Sequence, residues 1–231
     1  MQALSIIVPV LDEATTIVDA LTTLAPYRAC GAEVIVVDGG SRDETPILAQ
    51  PLADRLIAAP RGRGSQMNAG AGAARGDLLV FLHADTVLPP DAHRLMIDGL
   101  ARSRRAWGRF NVTIEGRNPL LPVIAALMNL RSRLTGIATG DQALFMTRAA
   151  FEAVGGFPDI PLMEDIVMSG RLKRLGRPLC LAARVRTSGR RWEKHGIVRT
   201  IVTMWRLRLA FFLGAQPAAL ARRYGYGIRD G

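Results

Sequence analysis

Cysteine is almost absent from this 231-residue chain: Cys30 and Cys180 stand far apart, with no CxxC spacing and no neighbouring histidine. That leaves little room for a disulfide framework or a cysteine-based zinc site and fits a reducing compartment. Acids are short as well, 20 against 30 Lys and Arg. No apolar run reaches the ~20 residues that a spanning helix needs. The uncharged stretch from Leu209 to Ala221 is too short and contains Gly214 and Pro217. Ahead of the apolar segment Leu4 to Val10 there is neither a basic region nor a small-residue cleavage site. A secretory signal is therefore not expected, and the expected location is the cytoplasm or the inner face of a membrane.

What is present is enough for one sizeable core, since 49% of the residues are hydrophobic. The net charge is +10, and the last part of the chain carries nearly all of it. From Arg184 onward, ten Arg and Lys194 face only Glu193 and Asp230. A basic segment of this kind can meet nucleic acid, an anionic membrane or a phosphorylated substrate, and charge alone does not choose among them.

Short β-branched apolar runs at Leu4–Pro9, Glu33–Asp38, Arg55–Ala59 and Leu78–His83 read as strands. Helical patterns fill the gaps at Glu13–Leu24, Thr45–Ala49, Ser65–Ala74 and Asp91–Ser103. This alternation predicts an α/β fold with a mainly parallel sheet flanked by helices, and such sheets bind ligands at the strands' carboxyl ends. Further strands are expected at Arg105–Ile114 and Gln142–Thr147, and a helix over Leu162–Leu175 stopped by Gly176 and Pro178. From near Gly196 the chain reads as a basic, strongly apolar helical extension, suited to a membrane interface or a subunit contact.

The polar residues at the strand ends carry the chemistry. Asp38 ends the second strand and leads into Gly39-Gly40-Ser41, a sequence that serves equally as an ordinary turn or as a contact for a base or ribose. His83 and Asp85 follow the fourth strand. Strand alternation would put them on one side, where together they could hold Mg2+ or Mn2+ against two phosphates; the competing reading is a capped turn and a satisfied histidine. The loop Arg61-Gly62-Arg63-Gly64-Ser65 leads into a helix rich in small residues and suits phosphate contact. It matches neither a Walker A loop nor the full dinucleotide fingerprint. Glu164 and Asp165 open a helix, where acids are often merely stabilising, but a carboxylate there also suits removal of a proton from a hydroxyl.

Taken in order, Ser5-Ile6-Ile7-Val8-Pro9-Val10-Leu11-Asp12-Glu13, Val36-Val37-Asp38-Gly39-Gly40-Ser41-Arg42-Asp43-Glu44-Thr45, His83-Ala84-Asp85 and Glu164-Asp165 resemble the successive motifs of family 2 glycosyltransferases with the GT-A fold. The resemblance implies a GT-A, Rossmann-like domain over 1–195, with 196–231 as the extension. It implies that Pro9 and Glu13 line the nucleotide pocket, Asp38 meets the base or ribose, and Arg63 beside Gly64 reaches the diphosphate. Asp85 matches the metal-binding aspartate for Mn2+ or Mg2+, while His83 replaces the first acid of the family's Asp-x-Asp. Asp165 matches the base that deprotonates the acceptor, Glu164 orients the acceptor, and one displacement inverts the anomeric carbon. Asp141, in Gly140-Asp141-Gln142, resembles the start of the acceptor-side strand. Arg191-Trp192 matches the end of the Gln-x-x-Arg-Trp motif of processive members and is read as a phosphate and stacking pair. Without spanning helices, processive polymerisation is disfavoured.

The implied partners are a UDP- or GDP-linked sugar donor and a small or lipid-linked hydroxyl acceptor. Residues 196–231 are expected at a membrane periphery or in a homodimer, and nucleic acid is not expected. Two other classes stay in view. A sugar-phosphate nucleotidyltransferase would carry a Gly-rich signature near the first strand, which Pro9-Val10-Leu11-Asp12-Glu13 lacks. A non-enzymatic basic module would interleave aromatics with its arginines, and here they are few.

Overall fold

A computed structural model describes residues 3–224 of the chain. The strands are β1 Leu4–Val10, β2 Glu33–Asp38, β3 Arg55–Ala58, β4 Leu78–Phe81, β5 Thr86–Val87, β6 Trp107–Glu115, β7 Leu144–Thr147 and β8 Leu179–Ser188. They form one sheet in the order β3-β2-β1-β4-β7-β6-β8-β5. The first four pair in parallel, joined by crossover connections, and β6 and β8 are also parallel. The β4–β7, β6–β7 and β5–β8 pairs are antiparallel.

The helices are α1 Ile17–Thr22, α2 Ala25–Ala29, α3 Thr45–Ala49, α4 Arg63–Ala73, α5 Ala92–Ser103 and α6 Leu121–Thr135. They continue with α7 Arg148–Ala153, α8 Glu164–Leu172, α9 Arg190–His195, α10 Ile197–Phe212 and α11 Pro217–Tyr224. Alternation along the strands divides the core in two. Ile6, Val8, Val34, Val36, Leu78 and Val80 point to the face covered by α1, α5 and α6. Ile7, Ile35, Val37, Leu79 and Phe81 point to the face covered by α4, α7 and α8. With both faces buried, these strands are continuous apolar runs.

Helix α4 lies close on the sheet because Gly70 has no side chain. A Cβ at Gly70 would sit 2.4 Å from Ile7 Cγ2 and 3.0 Å from Val37 Cγ2. Gly70→Val is expected to lower the unfolding free energy by about 3 kcal/mol, the upper end for an overpacked core. Urea denaturation measures this, and a midpoint equal to wild type would contradict the close packing.

Several boundaries differ from the sequence expectation. The predicted Glu13–Leu24 helix starts only at Ile17 and stops at Thr22, because Pro26 opens a separate helix, α2. Strand β4 ends at Phe81, so His83 and Asp85 lie in a turn closed by Thr86 N–H to His83 C=O at 3.0 Å, and strand alternation does not position them. Helix α6 and strand β8 lie where no element was expected.

The C-terminal helices fold back on the body. Leu207 of α10 and Leu220 and Ala221 of α11 cluster with Leu162, Met163 and Ile166 at the start of α8. Residues 225–231 of the expected extension lie outside the described residues. Among the described residues, no helix is long and apolar enough to cross a membrane.

Candidate functional site

The carboxyl ends of β1, β2 and β4 meet in one place, and two loops there hold each other. Asp12, at φ +52°, donates its N–H to Ser41 Oγ at 2.9 Å and accepts Arg42 N–H at 2.7 Å. Glu13 N–H reaches Thr45 Oγ1 at 2.7 Å, and Ala14 N–H reaches Asp43 Oδ2 at 3.0 Å. Asp38 accepts Gly40 N–H at 3.0 Å, Ser41 N–H at 3.1 Å and the Ser41 hydroxyl. The turn-building reading of Asp38 is thus realised in full. Pro9, half-buried, pairs with Val37 across β1 and β2. Glu13 Oε2 accepts the Thr16 hydroxyl at 2.7 Å and lies 3.8 Å from Arg190 Nη2.

Gln66 of α4 was not singled out from the sequence, yet it ties this junction together. Its amide donates to Val10 C=O and Val37 C=O, each at 2.8 Å. Gly39 makes room for it, since a Cβ there would touch the amide at 3.0 Å. At the start of the same helix, Arg63 Nη1 lies 4.0 Å from Glu164 Oε1. The neighbouring Gly64 admits the chain's own Pro158 carbonyl, which would be 2.3 Å from a Cβ. Ser65 Oγ donates to Asp159 Oδ1 at 2.6 Å.

Across a small recess lined by Met67, Phe81, Leu144 and Phe157 lie His83, Glu164 and Asp165. Asp165 accepts Gly140 N–H at 3.0 Å and its neighbour Ile166 N–H at 2.7 Å. Burial and the adjacent Glu164 push its carboxyl up from the usual 3.8 to about 6. His83 Nδ1 is 3.4 Å from Asp141 Oδ1, and the Cε1–Nε2 edge of its ring comes close to Gly140, where a Cβ would be 2.2 Å from both atoms. Burial raises Asp141, but His83, Arg63 and Arg191 outweigh it and hold the carboxyl below its ordinary value. Two strained residues frame this half: Ala143 at φ +46° and Met163 at φ +72°. Such outliers persist only where surrounding contacts over-determine them, and they gather at functional sites.

The expected residues therefore fall into two groups. Pro9, Glu13 and Asp38 sit at the β1 and β2 ends; Arg63, His83, Asp141, Glu164 and Asp165 gather at the recess, with Arg191 acting electrostatically on Asp141. Trp192 packs against the core covered by α5 and α6. Arg131 of α6 is an addition. Its Nε and Nη2 are buried without a hydrogen-bond partner, burial pushes its pKa down, and Asp165 and Asp141 act in the other direction. Nothing in its local sequence marks it, because the fold alone brings α6 to the recess.

Asp85 stands somewhat apart. Its carboxylate accepts the Thr86 hydroxyl at 3.3 Å, and its carbonyl accepts Ser188 N–H at 3.2 Å. Among the described residues, no three His, Cys, Asp or Glu side chains converge to hold a metal by themselves. A half-exposed carboxylate nevertheless suits Mg2+ or Mn2+, because Mg2+ is commonly held by one or two carboxylates plus substrate phosphates.

Comparison with known proteins adds a family and a fold. Residues 5–152 match the family model described as Glycosyl transferase family 2. The succinoglycan biosynthesis protein ExoO of Rhizobium meliloti is 40% identical over 97 residues, which is 40% of this chain and 28% of that protein. The match thus spans less than a third of that relative's length. Among solved structures, the mannosyltransferase PcManGT of Pyrobaculum calidifontis, in complex with GDP-Man and Mn2+, superposes with a TM-score of 0.67. It is 23% identical, with 96% of this chain and 64% of that one covered. The glucosyl-3-phosphoglycerate synthase of Mycobacterium tuberculosis, with Mn2+, UDP and glucosyl-3-phosphoglycerate, gives 0.57 at 19% identity over 80% of this chain and 71% of that one. At these identities the two structures establish a common GT-A architecture.

Proposed function

Because the chain belongs to glycosyl transferase family 2, we propose that it transfers a sugar from a UDP- or GDP-linked donor to an acceptor hydroxyl, inverting the anomeric carbon. The observation that carries this reading is Asp165, a carboxyl raised to about 6 and oriented by Gly140 N–H in a recess. A base with a pKa just below neutrality is ionised at pH 7 yet basic enough to draw off a hydroxyl proton.

On this reading Pro9, Glu13 and Asp38 hold the nucleoside, and Arg63 binds the diphosphate. Gly64 serves by letting the 158–159 loop brace the start of α4. Glu164, kept beside Arg63, orients the acceptor, and Asp141, His83 and Arg191 form the polar wall opposite. The acceptor oxygen bonds to the anomeric carbon as the bond from that carbon to the diphosphate oxygen breaks, and the acceptor proton passes to Asp165. Asp85, with His83 nearby, would hold Mn2+ or Mg2+; a cation bound there neutralises charge on the departing diphosphate. Residues 1–195 would carry the transfer, with Trp192 tying its last helix to the core.

A thermal-shift screen against UDP- and GDP-sugars with Mn2+ or Mg2+ tests the reading. Near-saturating donor should raise the wild-type melting temperature by about 5–10 °C. Asp85→Ala should lose the metal-dependent part of that rise. No shift with any nucleoside diphosphate ligand, or the same shift in Asp85→Ala, would refute it.

A further inference from the structure

Two helices carry apolar stripes that the fold does not cover. On α6 and its N-cap, Leu120, Val123, Leu127, Leu130 and Leu134 are all exposed, from 49% at Leu120 to 68% at Leu134. The same helix buries Leu121, Ile124 and Ala125 in the core. On α10, Val198, Val202, Trp205, Leu209 and Phe212 are exposed, from 47% at Val202 to 74% at Trp205, while Ile197 and Leu207 are buried. In both helices the exposed positions recur at alternating intervals of three and four, which keeps them on one side of the helix. The two helices brace the same body. Ile197 and Ile201 join the core that holds Leu121 and Ile124, and Leu207, Ala210 and Phe211 cluster with Ile137 just beyond α6.

We propose that these stripes of α6 and α10 together form a docking face for an anionic lipid bilayer. Charge selects the occupant. Neither helix contains an Asp or Glu, whereas the exposed Arg133 lies on α6 and the exposed Arg199 and Arg206 on α10. Pairing this face with the same face of a second copy would oppose arginines with no carboxylate on either helix to answer them, an arrangement that disfavours self-association. Anionic headgroups complement it. Leu and Trp on one side with Arg on the flanks is the composition of a helix lying in the interfacial plane, and the exposed Trp205 suits headgroup depth.

The face adjoins the recess. Helix α6 runs through residues 136–139 into Gly140, whose N–H holds Asp165, and α10 backs Leu162, Met163 and Ile166 around the acids. A bilayer docked there would bring a lipid-linked acceptor to Asp165. That last step rests on the transfer reading; the docking does not.

Co-sedimentation of the full chain with vesicles tests it, without nucleotide or turnover. Wild type should partition about tenfold more strongly onto vesicles of equal phosphatidylglycerol and phosphatidylcholine than onto phosphatidylcholine alone, in 0.1 M salt. Leu127→Glu with Leu130→Glu, and separately Trp205→Glu with Leu209→Glu, should each lower partitioning onto the anionic vesicles about tenfold or more. Their thermal unfolding and donor-induced shifts in the absence of vesicles should remain those of wild type, since all four positions are exposed. Pelleting of the α6 variant like wild type would overturn the shared face, and equal wild-type binding to both vesicles would overturn the role of charge. A wild-type dimer in sedimentation velocity that these variants dissociate would assign the face to a second copy instead. Absence of any donor-induced shift in wild type would sink the transfer reading while leaving the vesicle result standing.

Discussion

Asp165→Asn is expected to lower kcat by about 10²–10⁴-fold, the range for loss of a positioned general base, while the donor-induced thermal shift stays close to wild type. Asparagine keeps the shape and can still accept Gly140 N–H, but it cannot take a proton. The wild-type kcat/KM should rise tenfold per pH unit below about 6 and level off above, following ionisation of the raised carboxyl. Stability should move in the opposite direction. With the folded value at about 6 and the ordinary one at 3.8, the folded state holds this proton more tightly. The resulting stabilisation is complete below about 3.8 and is lost as pH rises through about 6. At pH 8 the asparagine variant should therefore be more stable than wild type, by on the order of 1–3 kcal/mol, with the difference closing below about pH 4. Nearly full turnover in the variant would remove Asp165 from the reaction.

Gly140→Ala should lower kcat/KM about a hundredfold, although it adds only one methyl group. That methyl would lie 2.2 Å from the His83 ring, so something must shift. Either the imidazole leaves Asp141, or the Gly140–Gln142 turn retreats and withdraws its N–H from Asp165. In the second case the Asp165 carboxyl loses a bond that lowers its pKa, and the acidic limb of the pH profile should move upward. A double-mutant cycle separates steric coupling from general damage: in a His83→Ala background the added methyl has room and should cost little more. Activity within twofold of wild type, with an unchanged profile, would dismiss the contact.

The parallel half of the sheet was legible because its residues are apolar on both faces, as in β1 and β2, with acids or glycines marking where each strand stops. Helix α6 was not, since leucines lie on its outer side as well as its inner one and blur the one-sided pattern that sequence reading depends on. Strand β8 was hidden by its charge: Arg184 and Arg186 are exposed while Val185 and Thr187 are buried, an alternation obscured by counting the segment as basic. At the site, Glu164 and Asp165 were readable from residue type and position. Gln66 and the Gly140 amide were not, because their roles depend on what the fold brings opposite them. Asp38 could not be resolved from sequence, since a turn and a ligand contact call for the same carboxylate.

The mutual clasp of the loops after β1 and β2 bears on how a nucleotide would be captured. Asp12, Glu13 and Ala14 are bonded to Ser41, Thr45 and Asp43 before anything arrives, so this half of the pocket has little freedom left to surrender. Capture there should resemble a hand entering a stiff glove, with a modest heat-capacity change in calorimetry and none of the large entropy loss that accompanies a segment ordering around its guest.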